Sequence, residues 1–349
     1  MKFKPFIFVL SLFFLVHFKI ARAITCGELF PALQVKLQES VNSISSGGRV
    51  TAVTDATETA SGAHLCNITT VSGASAPQFL AKVYEDKSLC HSEFTGYEAA
   101  TAAYREVLAA NGIPDDVASS LRYFASYSQV LVENEGLCAL VMRRVPGVTI
   151  DSIIARVFST RVTSPTAPEI TELVHVMGTL GTVLGTIHKQ SARLLPGVAP
   201  SARAALASYS VIKHPDWHAG NIIYQAGGAR PSLFFIDWAV STDKFPVGSL
   251  QHEITPIYEW LVVAARPKKA KPYTREDLVR IHILKAALAA FKRTYLASLA
   301  PPPATSAPFL REASEFVDTC CLIKAQDLHT AAKTGYCGSK SAGVDPFCH

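Results

Sequence analysis

The sequence predicts an α+β protein of two lobes: a small antiparallel-sheet N-lobe with one helix, then a larger, mainly helical C-lobe. Three observations predict it. Short apolar stretches, parted by Ser-, Thr-, Gly- and Ala-rich breaks, crowd residues 49–144. One alanine-rich helical stretch at 92–111 interrupts them. From about residue 150 the apolar residues recur at helical spacing instead.

The elements follow in order. Leu29, Leu33, Val35, Leu37 and Val41 mark a helix over 24–45, broken at Gly47-Gly48. Strands are expected at 49–54, 64–71 and 78–84. The helix at 92–111 stops at Gly112-Ile113-Pro114. Two more strands are expected around 121–132 and 137–144, then a turn at Pro146-Gly147 and a helix opening at Thr149-Ile150-Asp151. Leu173, Val176, Leu180, Leu184 and Ile187 give a long helix over 169–188. Ile222-Ile223-Tyr224 and 232–236 read as a hairpin around Gly227-Gly228. Further helices are expected at 254–265, 275–299 and 309–333, the last two parted by Pro301-Pro302-Pro303. The stretch 191–210 shows no period. The domain plan is therefore 1–23 as a targeting segment, 24–77 as N-terminal helix and first strands, and 78–148 as N-lobe and linker. Residues 149–300 form the helical C-lobe and 301–349 a last helix with a cysteine-containing tail.

The first 23 residues carry a basic start, an apolar run from Pro5 to Phe18 and Ala21-Arg22-Ala23, the pattern of a cleaved secretory signal. The expected mature protein is secreted and has no membrane span. Without Lys2, Lys4, Lys19 and Arg22, 29 basic residues face 28 acidic ones, a net of +1. No global field then recruits nucleic acid or anionic lipid. Cys26, Cys66, Cys90, Cys138, Cys320, Cys321, Cys337 and Cys348 form an even set behind a signal, which points to disulfides, with pairing expected within the first four and within the last four, or with one bridge pinning the C-terminal tail. Asn67-Ile68-Thr69 is the glycosylation sequon.

The chemistry sits at His214-Pro215-Asp216-Trp217-His218-Ala219-Gly220-Asn221 and, about twenty residues on, Phe234-Phe235-Ile236-Asp237-Trp238. A lone aspartate in a loop is a turn residue or a cap. One carboxylate able to take a proton, with a carboxamide and a second carboxylate able to hold a hard cation, is what phosphoryl transfer needs.

These segments resemble those of the aminoglycoside phosphotransferase/choline kinase group, whose pattern is His-x-Asp-x-His-x-x-Asn followed by Ile-Asp-Trp or Ile-Asp-Phe. His214, Asp216, His218, Asn221, Ile236, Asp237 and Trp238 fill every fixed position. The resemblance covers roughly residues 78–265 and implies a two-lobed protein-kinase-like fold that uses ATP and magnesium. It implies that Asp216 is the catalytic base and that Asn221 and Asp237 hold the metal. His214 and His218 would fix the loop structurally, with Trp217 and Trp238 as packing groups. Phe79-Leu80-Ala81-Lys82-Val83-Tyr84 is similar to the strand that carries the phosphate-anchoring lysine, here Lys82. Its carboxylate partner is expected to be Glu98, with Glu106 and Glu93 as alternatives on the same helical stretch. Residues 142–150 resemble the linker between the lobes. The phosphate loop is the departure: the first hairpin, 54–63, has Gly62 as its only glycine.

Two function classes follow. One is a phosphotransferase acting on a hydroxyl of a small molecule or sugar, or of a protein. The other is a secreted inactive pseudokinase that serves as a binding module, favoured by the scarcity of ATP outside cells. The intact Asp216, Asn221 and Asp237 favour the first. A secreted hydrolase lacks a Gly-x-Ser-x-Gly elbow.

Overall fold

A computed structural model describes residues 25–299, apart from 45–47, 57–62, 72–78, 122–128, 135–136, 160–167, 195–208, 227–230, 239–246, 249–250, 266–273 and a few single positions. The targeting segment, the helix expected at 309–333, the last four cysteines and the tip of the first hairpin lie outside the described residues.

The N-lobe is a five-stranded antiparallel sheet, in the order β1-β2-β3-β5-β4. The strands are β1 (Arg49–Asp55), β2 (His64–Val71), β3 (Phe79–Tyr84), β4 (Gln129–Asn134) and β5 (Leu137–Arg143). Period-two alternation sorts the side chains of β5. Ala139 and Val141 join Val50, Val53, Ile68, Phe79 and Ala81 under helix α1 (Cys26–Ile44), whose Leu37 and Val41 complete that cluster. Leu140 and Met142 face the other way, into the core shared with the helical lobe. The small lobe thus carries α1 on one sheet face in addition to the inserted helix α2 (Lys87–Ala109).

Helix α2 begins five residues before the expected start. Asp86 caps it, accepting the Ser88 N–H at 2.8 Å, so the chain turns helical directly after β3. Its buried face carries Cys90, Glu93, Tyr97, Ala100, Tyr104 and Val107. Disulfides join Cys26 to Cys66 and Cys90 to Cys138, so the first four cysteines pair among themselves. The second of these bolts α2 to β5.

The helical lobe contains α3 (Ile150–Ser159), α4 (Pro168–Ser191), α5 (Gln251–Ala265) and α6 (Arg275–Leu299). By length and composition α4 is apolar enough to cross a membrane, yet most of it is buried as the central helix of this lobe. It packs closely on α6: Thr294 Oγ1 donates to the Gly178 carbonyl at 2.7 Å, and His188 Nδ1 lies 2.8 Å from Tyr295 Oη. The lobes meet through β6 (Val148–Thr149), which pairs with β9 (Ile222–Gln225), itself half of a hairpin with β10 (Ser232–Phe235). Gly147 enters β6 at φ +121°, where a Cβ would strike the Tyr224 carbonyl, so only glycine fits this crossing. Two-residue strands β7 (Arg193–Leu194) and β11 (Val247–Gly248) flank β8 (Tyr209–Ile212). The β3–α2–β4–β5 order, the single linker and the helical second lobe make this a protein-kinase-like fold.

Candidate active site

Lys82 lies mid-strand in β3, between Leu65 of β2 and Leu140 of β5. Its side chain is buried, so its ammonium needs a carboxylate. Glu93, in the second turn of α2, supplies one: Nζ lies 2.7 Å from Oε1 and 2.8 Å from Oε2. The Tyr84 hydroxyl donates to Glu93 Oε2. The same ammonium contacts Asp237 Oδ1.

Glu98 is not the partner. It sits five residues past Glu93, about 140° round the helix at 3.6 residues per turn, and faces solvent. Glu106 is exposed as well. Burial alone would lower the Lys82 pKa, but Glu93 and then Asp237 outweigh it and raise it. Burial pushes Glu93 up more than Lys82 pulls it down, and Asp237 adds to the rise. With three hydrogen bonds converging on its carboxylate, two from Lys82 and one from Tyr84, Glu93 stands as the charged half of an ion pair. Burial and the Glu93 charge raise the Tyr84 phenol far above its ordinary range, so it stays a donor.

The loop before β9 is built on His214, which is buried. Its Nδ1 accepts the Asp216 N–H at 3.2 Å, so Nε2 carries the proton and donates to the Ile236 carbonyl at 2.7 Å. The Ile236 N–H in turn donates to the Asn221 carbonyl at 2.9 Å. Both backbone groups of Ile236 are thereby clipped to the loop, which sets Asp237 beside it. His218 caps the short 3-10 turn Ala219–Asn221, accepting the Gly220 N–H on Nδ1 at 3.1 Å. Its Nε2 faces Asp216 Oδ2 at 3.4 Å.

Asn221 is buried and donates Nδ2 to Asp216 twice, to its carbonyl at 2.9 Å and to Oδ2 at 3.2 Å. Those bonds use the amide nitrogen and leave Oδ1 as the oxygen suited to a cation. The Asp216 side chain is 67% exposed, open to an incoming hydroxyl. Asp237 has φ 66°, the one left-handed non-glycine residue among those described, and its N–H donates to Tyr97 Oη at 3.1 Å. Trp238 is fully buried, with its Nε1 on the Phe235 carbonyl at 2.9 Å and its ring 4.3 Å from that of His214. Trp217 packs against Phe235 and Trp260. Both tryptophans are packing groups.

The donor set fits the groups that the fold class implies. One carboxylate and one amide oxygen are hard ligands suited to magnesium, and Lys82 beside them is a compact cation suited to phosphate oxygens. Asn67, the sequon residue, lies within β2, where its Oδ1 accepts from Arg144. Sequence reasoning missed Tyr84 and Tyr97. A signal for Tyr97 existed, since it follows Glu93 by four residues and so shares its helix face.

No family model matches the chain, and no curated protein matches it. Among solved structures it is similar to the Mycobacterium tuberculosis PknI kinase domain at 14% identity, over 78% of this chain and 98% of that one, with a TM-score of 0.33. A double mutant of that domain aligns at 13% identity over 82% of this chain and 96% of its own, with a TM-score of 0.36. The strand order and the meeting of Lys82, Glu93 and Asp237 are what make the fold kinase-like.

Proposed function

We propose that this chain is an ATP- and magnesium-dependent phosphotransferase, similar in type to aminoglycoside phosphotransferases, that acts on a hydroxyl of a small molecule or sugar. A protein hydroxyl is the second acceptor class. One observation carries the reading: Lys82 touches Glu93 and Asp237 together, while Asn221 and Asp216 join the same Ile236 clip. Asp216 takes the proton of the attacking hydroxyl. Its Oδ2 is held by Asn221 and faced by His218, which leaves Oδ1 toward the acceptor. Asp237 and Asn221 Oδ1 would hold magnesium, which when bound neutralises charge on the phosphate oxygens. Lys82 would hold those oxygens from the other side, and positioning does most of the work. The disulfides Cys26–Cys66 and Cys90–Cys138 support assembly in an oxidising compartment, hence a secreted protein.

A specific contact favours the rival reading, an inactive binding module. Asp237 Oδ1 is engaged by the Lys82 ammonium, so one oxygen of the metal ligand is already in use. A thermal-shift titration of the mature protein with magnesium-ATP, beside Lys82→Ala and Asp237→Ala, separates the two. A ligand at 100 times its Kd adds about 2.7 kcal/mol. A magnesium-dependent rise abolished by both substitutions supports the enzyme. A flat response from folded wild type supports the binding module.

A further inference from the structure

We infer that Tyr97 is a positioning residue that sets the Asp237 carboxylate for the cation. The inference rests on the phosphotransferase reading for its chemical consequence, but its geometry stands alone. Tyr97 is buried at 1% exposure within the core shared with the helical lobe. Its hydroxyl accepts the backbone N–H of Asp237 at 3.1 Å, across 140 residues of chain. That N–H belongs to the described residue that most needs holding, because φ 66° is disfavoured for aspartate without local support. Moving the Asp237 backbone out of this well would swing its carboxylate away from Lys82.

Tyr97 follows Glu93 by one helical turn on the same buried face. Glu93 places Lys82 and Tyr97 places Asp237. Cys90, on that face one turn earlier, ties the helix to β5 through Cys138.

The test is Tyr97→Phe, with Tyr104→Phe as a packing control, since Tyr104 lies two turns on against Phe235 and Trp238. Two quantities are read: the magnesium concentration at half-maximal ATP-induced thermal shift, and deuterium uptake of the peptide spanning 235–238. Tyr97→Phe is expected to raise the magnesium midpoint about fivefold, the scale of one lost hydrogen bond, and to speed uptake at 235–238. Tyr104→Phe should lower the melting temperature without moving the midpoint. An unchanged midpoint and unchanged uptake in Tyr97→Phe overturn the inference. If wild type shows no magnesium-dependent shift, the phosphotransferase reading fails; faster uptake at 235–238 in Tyr97→Phe then still upholds the Tyr97–Asp237 tether, and unchanged uptake overturns it.

Discussion

Lys82 and Glu93 form a two-pronged ion pair, 2.7 and 2.8 Å long, in which neither side chain is more than 8% exposed. The pair joins the sheet to α2 only eleven residues apart in sequence, and Asp237 closes it from the other lobe. A charge in such a place is costly when its partner is removed.

Lys82→Met should therefore destabilise the protein by about 3 to 5 kcal/mol, because it strands Glu93 as an uncompensated buried carboxylate. Urea unfolding of the two proteins at neutral pH measures the difference. Glu98→Ala, on the exposed side of α2, should fall within about 0.5 kcal/mol of wild type.

Alkaline pH should expose the same pair. The folded pKa of Lys82 lies above its ordinary 10.5, so the unfolded chain loses this proton first as pH rises. Its contribution is complete below that value and declines as pH climbs toward the folded pKa. Tyr84 shifts in the same direction and adds to the decline. Stability curves from pH 8 to 11.5 should fall more steeply for wild type than for Lys82→Met. Parallel curves would show that the pair is not coupled to folding.

Breaking the Cys90–Cys138 bond by replacing both residues with alanine removes a cross-link of sequence separation 48. Chain entropy puts the loss at about 4 kcal/mol. Because Cys90 lies one turn before Glu93, the nucleotide-induced thermal shift should shrink too. Denaturant midpoints and the shift at saturating magnesium-ATP check both parts.

His214→Phe keeps the ring but leaves the Asp216 N–H and the Ile236 carbonyl without their partner. The expected cost is about 1 to 2 kcal/mol, since both bonds are only partly buried. Phosphotransfer should drop further than stability does, since the clip aligns Asp216 with Asp237. Turnover at saturating ATP, compared with the unfolding midpoint, separates the two effects.

Gly185→Ala should destabilise by about 1 to 3 kcal/mol. A Cβ there would lie 2.7 Å from Ser298 Cβ and 2.8 Å from the Tyr295 carbonyl, so α4 and α6 must move apart. A lowered melting temperature by circular dichroism is the readout.

Much of the fold was legible because its signals are local. β1, β2, β3 and β5 lie within about a residue of their expected spans, since alternation and Gly/Ser breaks mark them. Long α4 and α6 were visible from apolar period alone. The first turn of α2 lies before the alanine-rich stretch, and its signal is the Asp86 cap rather than helix propensity.

The sequence by itself determined the set of groups: Asp216, Asn221 and Asp237 at fixed spacing, two histidines to brace them, and a lysine within a strand. It also pointed to paired cysteines through their even number, and among the described residues Cys26–Cys66 and Cys90–Cys138 form those pairs. Tertiary structure alone decided which glutamate meets Lys82. Three glutamates share one helical stretch, and the choice depends on helix phase against the sheet, which the Cys90–Cys138 bond and the Tyr97–Asp237 contact fix. It also decided that Asp237 is left-handed and bound to Lys82. Those relations run between residues 140 and 155 positions apart, where local pattern carries no information about distance.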